Sequence, residues 1–179
     1  MMKLSFVIPA YNEEAYIGQC LSSISRERQG KQYDIEIVVV NNASTDRTKE
    51  IALSIPGVKV VDEPKKGLSQ ARLAGLLAAS GDLVANIDAD TMLTPGWIDK
   101  VYKIFSDRPE LVAYSGPFVY YDLNSTFNFW VRVFYCVGYI NYLFQRYVWH
   151  SSSMLQGGNY VCRKSALIQA GGINPKFSF

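Results

Sequence analysis

Asp88 and Asp90 close an apolar run, "LVANIDADTML", with a single alanine between them. On an extended backbone, residues two apart project to the same side. The two carboxylates then share one space and repel each other unless a cation or hydrogen-bond donors compensate them. Oxygen ligands at this spacing suit Mg2+ or Mn2+, and Mg2+ is commonly held by one or two carboxylates together with substrate phosphates. No HxH, HExxH or cysteine pair competes for a zinc assignment. A polar turn at the end of a strand reads the same way, so spacing alone leaves both interpretations open.

Carboxylates do chemistry only when something rigid aims them. Lys3–Pro9, Ile35–Val40, Val58–Val61 and Leu83–Ile87 are predicted as strands. Their near-continuous apolar character suits strands covered on both faces, as in a parallel sheet. A first helix is predicted after Asn12 as N-cap, with Ile17, Leu21 and Ile24 on one face. A second starts near Ser44, with Ile51 and Ile55 four apart, and a third runs from near Ser69 towards Gly81. Thr94 and Pro95 supply an N-cap and a first helical residue for a fourth, through Phe105. A further strand is expected within Leu111–Tyr121.

This order predicts an α/β fold: an open, mostly parallel, Rossmann-like sheet with helices on both faces. Ligands of such sheets bind beyond the carboxyl ends of the strands. The stretches "AYNEE", "NNASTD" and "DAD" all fall there. Helix-capping loops use the same residue types, but three such loops on one sheet edge argue for a site.

The totals bound the answer. A chain of 179 residues fits one domain with a substantial core. With 49% hydrophobic and 19% charged residues it is neither disordered nor fibrous. A net charge of +2, without a basic block or zinc-finger spacing, gives no case for nucleic acid. Cys20, Cys136 and Cys162 are scattered, which fits reduced thiols rather than a disulfide framework. The N-terminal apolar run reaches Pro9 at once and is too short for a signal peptide. A cytoplasmic protein, or one peripheral at the inner face of the membrane, is expected. Neither GxGxxG nor GxxxxGK[ST] occurs, against other nucleotide-binding α/β domains.

Taken in order, "FVIPAYNEE", "VVVNNASTD", "KKGLSQARLAG", "IDADT" and "GGNYVCRKSALIQAGGINPKF" resemble the family 2 glycosyltransferases, which have the GT-A fold. The resemblance covers essentially the whole chain. It implies an inverting, metal-assisted enzyme moving a sugar from a nucleotide-diphosphate donor to an acceptor hydroxyl. The donor is usually UDP-linked, with GDP as the alternative, and a lipid-linked or polysaccharide acceptor fits.

By the same resemblance Pro9, Ala10, Tyr11 and Glu13 line the base and ribose pocket. The family usually carries a base-binding aspartate in its second motif. Asn41 and Asn42 stand there instead, and Asn42 offers a carbonyl acceptor to a uracil N–H. Asp46 caps or orders its loop. Arg72 faces the nucleotide, or else is a surface arginine paired along its helix; Lys65 and Lys66 are expected in solvent. Asp88 and Ala89 join the donor site, and Asp90 ligates the Mg2+ or Mn2+ that bridges the phosphates. Gly157, Gly158 and Asn159 approach the sugar and acceptor, or form an ordinary turn.

The family's general base follows the position of "GGINPKF". No Asp or Glu follows Asp122, and His150, the sole histidine, is expected to be structural or interfacial. The catalytic base is therefore unassigned and expected beyond Phe179. One incomplete catalytic domain is expected, with residues 1–120 binding the donor and 121–179 forming the acceptor side. The alternative is a catalytically silent nucleotide-sugar-binding module that docks a membrane or a partner protein.

Residues Phe127–Trp149 hold ten of the 24 aromatics. The segment has the length of a membrane span, but Arg132 and Arg146 within it oppose spanning. Two readings stay open: an interfacial helix in peripheral membrane contact, or a helix packed on the sheet or at a subunit contact.

Overall fold

The computed structural model describes residues 2–118, 124–149 and 157–174. Six strands form one sheet: β1 (Leu4–Ala10), β2 (Ile35–Asn41), β3 (Val58–Asp62), β4 (Leu83–Ile87), β5 (Ala113–Ser115) and β6 (Asn159–Arg163). Their spatial order is β3-β2-β1-β4-β6-β5. The first four are mutually parallel, whereas β6 runs antiparallel to both β4 and β5. The expected open, mostly parallel α/β sheet is thus what forms.

Strand alternation sorts the core into two layers. Phe6 and Ile8 of β1 and Ala85 and Ile87 of β4 pack against α1 (Ile17–Arg28), α2 (Thr48–Ser54) and α4 (Trp97–Asp107). Val7 and Val84 point the other way, onto α3 (Leu68–Ala78) and α6 (Lys164–Gln169). The contact with α3 is close: a Cβ on Gly75 would overlap the Val7 Cγ1 atom. That approach brings the preceding turn of α3, which carries Arg72, down onto the sheet edge.

Three helices begin later than their capping residues suggest. Asn12 takes φ 55° and lends its side chain to another loop, so α1 starts only at Ile17. Ser44 and Asp46 likewise serve loop contacts, and α2 starts at Thr48. Gly96 adopts φ 79°, which makes Thr94-Pro95-Gly96 a turn and delays α4 to Trp97. The start of α4 is capped from elsewhere in the chain. Glu27 of α1 accepts the N–H groups of Gly96 (3.0 Å) and Ile98 (3.4 Å).

The strand expected within Leu111–Tyr121 shortens to three residues, and residues 119–121 lie outside the described ones. β6 falls where the sequence suggested sugar-side backbone or a turn. The remaining helix, α5 (Ser125–Tyr147), occupies the aromatic segment and buries no side chain. Among the described residues no helix is long and apolar enough to cross a membrane. Cys20 and Cys162 are buried, Cys136 is exposed, and all three are free thiols.

Candidate functional site

Beyond the carboxyl ends of β1 and β2, two loops are laced together. Asn12 donates its N–H to Ser44 Oγ (3.2 Å) and accepts the Thr45 N–H at its own Oδ1 (2.8 Å). Glu13 donates to Thr48 Oγ1 (2.7 Å), and Glu14 to Asp46 Oδ2 (3.1 Å). Asp46 also accepts the Thr48 N–H (3.0 Å), so it orders the loop, as expected. The lacing holds Ala43 at φ 56°, a left-handed conformation that a non-glycine residue adopts only when its surroundings impose it.

Behind this lacing, Asn42 is buried and fully engaged with the chain. Its amide donates to the carbonyls of Glu63 (3.0 Å) and Lys65 (2.8 Å), and its Oδ1 accepts the Gly67 N–H (2.8 Å). Asn42 therefore clamps the loop before α3, rather than presenting an open acceptor as its position in the motif suggested. Pro9, Ala10 and Ala89 are also buried, because they close packed strand ends. Their side chains lie within the packed sheet edge. Tyr11 is exposed, and Lys66, expected in solvent, donates to its hydroxyl (2.8 Å) while lying over its ring.

Asp88 sits just past β4. Arg72 donates to its Oδ1 at 3.1 Å, and this arginine is largely buried, so it is no surface side chain paired along its helix. The Asp88 N–H donates to the carbonyl of Gly158 (3.2 Å). A Cβ on Gly158 would overlap the Asp88 carboxylate, and one on Gly157 would sit 3.6 Å from the Arg72 guanidinium. Both glycines form a turn, and they approach Asp88 and Arg72. Asp90 is exposed, with Thr91 Oγ1 at 3.5 Å. His150 lies outside the described residues.

Negative charge concentrates here. The Glu13 carboxyl is raised above its ordinary 4.5, first by burial and then by Asp90, Asp46 and Asp88. Burial, with Asp90 and Asp88 adding, also pushes the Cys20 thiol up to about 12. Among the described residues no group of three or more His, Cys, Asp or Glu is arranged to hold a metal by itself.

On the other side of Asp88 and Asp90 opens a cleft of about 810 Å³, walled by Trp97, Tyr114, Phe118 and Asn159. Asn159 donates to the Gly116 carbonyl (3.3 Å) and thereby ties β6 to the cleft rim. Two further side chains belong to the neighbourhood without having been expected. Burial pushes the Tyr160 phenol up to about 12, with Cys162 adding and Arg72 opposing. Among the described residues, the buried Asn86 has no hydrogen-bond partner for either amide atom, and the buried Arg72 Nε has none either. Only the polar interruption of the apolar run "LVANI" marked Asn86 in the sequence. Tyr160 carried no signal, because its strand was not foreseen.

Comparison with known proteins gives a consistent picture. The family model described as "Glycosyl transferase family 2" matches residues 5–171. A dolichol-phosphate mannosyltransferase of Pyrococcus furiosus is 39% identical over 114 residues, which are 62% of this chain and 32% of that protein. The glucosyl-3-phosphoglycerate synthase of Mycobacterium tuberculosis, solved in complex with UDP, superposes with a TM-score of 0.63 at 25% identity. The match covers 93% of this chain and 58% of that one. A mannosyltransferase from Pyrobaculum calidifontis, solved with GDP-Man and Mn2+, gives a TM-score of 0.69 at 23% identity. There 96% of this chain and 47% of the other are covered, so the chain spans about half of each solved neighbour and less of the curated relative.

Proposed function

The chain belongs to glycosyl transferase family 2, and on that premise we propose that it transfers a sugar from a nucleotide-diphosphate sugar to an acceptor hydroxyl. The observation that carries this reading is the convergence of Arg72, Asp88 and Gly158 beside the exposed Asp90, at the edge where the laced loops end. UDP-linked donors are favoured and GDP-linked ones are the alternative. The Mycobacterium neighbour was solved with UDP and the Pyrobaculum neighbour with GDP-Man.

In this reading Tyr11 and Glu13 meet the base and ribose, while Pro9, Ala10, Asn42 and Ala89 position the backbone around them. The surplus negative charge felt by Glu13 fits a divalent cation, Mg2+ or Mn2+, held by Asp90 beside Asp88. When bound, that ion supplies positive charge to the diphosphate as it leaves. Arg72 restrains the Asp88 carboxylate and adds its own charge to the phosphate side. Gly157, Gly158 and Asn159 border the sugar, and the 810 Å³ cleft admits the acceptor, lipid-linked or polysaccharide.

The transfer itself is a single displacement. The acceptor oxygen bonds the anomeric carbon while the bond from that carbon to the phosphate oxygen breaks, which inverts the centre. The acceptor proton passes to a base that is not an Asp or Glu of residues 123–179. Residues 1–120 form the donor part and 121–179 the acceptor part of one domain on the cytoplasmic side of the membrane.

Titration calorimetry with UDP, GDP and their sugar conjugates, with and without Mn2+, tests the site. Metal-dependent binding that Asp90→Ala abolishes is expected. Binding that ignores the metal, or survives in Asp90→Ala, would overturn the assignment.

A further inference from the structure

Asn86 is the one polar residue of β4, 1% exposed and flanked along the strand by Ala85 and Ile87. Strand alternation turns it away from α1 and towards α3. Its register partners, Val7 of β1 and Tyr160 of β6, belong to that same layer. Gly75 of α3 rests on Val7. Arg72 lies three residues earlier on the same helical face, about 4.5 Å nearer the carboxyl edge of the sheet. After burial and Cys162, the charges of Arg72 and Asp88 act on the Tyr160 phenol in opposite senses. Both therefore stand within electrostatic reach of the residue beside Asn86. Asn86 and Arg72 face one region beneath the Asp88 carboxylate.

Polar groups outnumber their partners there. Among the described residues, Arg72 gives one terminal nitrogen to Asp88 (3.1 Å), while its Nε is buried without a partner. Asn86 uses neither its amide nitrogen nor its oxygen. A buried polar group without a partner costs stability, and native chains seldom keep one without a reason. Packing is not the reason, because leucine has nearly the shape of asparagine and every other residue of β4 is apolar. The two side chains are complementary instead. The Nε–H and the amide N–H groups donate, and the amide oxygen accepts. One water bonded to Nε, Nδ2 and Oδ1 has the three hydrogen bonds that buried waters usually make.

We infer that Asn86 is a positioning residue for Arg72, joined to the guanidinium Nε across one buried water, and that it sets the plane in which Arg72 meets Asp88 and the donor diphosphate. A guanidinium is planar, so holding Nε fixes the direction of both terminal nitrogens. Without the amide the group turns about its stem. The part in donor binding rests on the transferase reading, whereas the hold on Arg72 does not.

Side-chain 1H–15N spectra of the full chain test the hold without any nucleotide, the Arg72 Nε–H signal being the one that Arg72→Lys removes. In Asn86→Leu this signal is expected to shift and its proton to exchange about tenfold faster than in wild type. An unchanged signal overturns the inference. Asn86→Leu is expected to melt at or above the wild-type temperature; a lower one means that the amide serves the core, and the inference falls. Calorimetry with UDP and Mn2+ then reads the function. Asn86→Leu is expected to weaken binding about tenfold in the wild-type background and hardly at all beside Arg72→Lys. Equal losses in both backgrounds would show that Asn86 does not act through Arg72. Absence of nucleotide binding by wild type, with the spectral change intact, would sink the transferase reading and leave the hold on Arg72 standing.

Discussion

Gly158 lacks a side chain at the one place where Asp88 needs the room. Gly158→Ala must therefore push the carboxylate away from Arg72 or move β6 off β4. A stability loss of about 1–3 kcal/mol is expected, as for other overpacked positions, together with a marked drop in nucleotide affinity. Thermal melts and calorimetry check the two effects separately. Gly116→Ala is the control: among the described residues a Cβ there meets only Asn159 Nδ2, at 3.8 Å, and should be neutral. At this scale the sequence was informative about Asp88, Asp90 and Arg72, whose charges had to be compensated somewhere. It was misleading about Asn42, because an amide offered to a ligand and an amide closing a loop have the same letter. Only the three partners from residues 63–67 tell them apart.

Helices and strands were legible where periodicity carried them and blurred where caps did. Asn12, Ser44, Asp46 and Thr94 all have capping chemistry, yet the first three hydrogen-bond across loops and the fourth precedes a left-handed glycine. The cap that α4 does use, Glu27, sits in another helix and could not be read from local sequence. Burial pushes its carboxyl up, but the Gly96 and Ile98 N–H groups and Lys31 outweigh that and hold it below 4.5. Its contribution is therefore present above pH 4.5 and fades as the pH falls below it. Glu27→Ala is expected to lower stability by about 1 kcal/mol at neutral pH. Denaturation curves of wild type and variant should converge in acid; parallel curves at every pH would refute the cap.

Over the whole molecule the parallel half of the sheet was foreseeable, since four apolar runs separated by helices leave few alternatives. The antiparallel strand β6 was not, because "NYVCR" becomes a strand only by meeting the free edge of β4. The finished fold shelters two of its three thiols, and burial raises Cys20 to about 12 and Cys162 to about 11. An alkylating reagent at neutral pH is expected to label one thiol per native chain, Cys136, and all three after unfolding, as counted by intact mass. The pairing of β6 with β4 also imposes an order of birth. A ribosome that has delivered the first hundred residues has made β1 to β4, with the outer edge of β4 bare and Asp88 lacking Gly158. Such an edge invites wrong pairing, and contacts this distant in sequence form late. The nascent protein therefore passes through a stage in which the outer edge of β4 has no partner and the setting of Asp88 is incomplete. That stage ends when residues 157–163 close on the edge, and the same event completes the setting of Asp88.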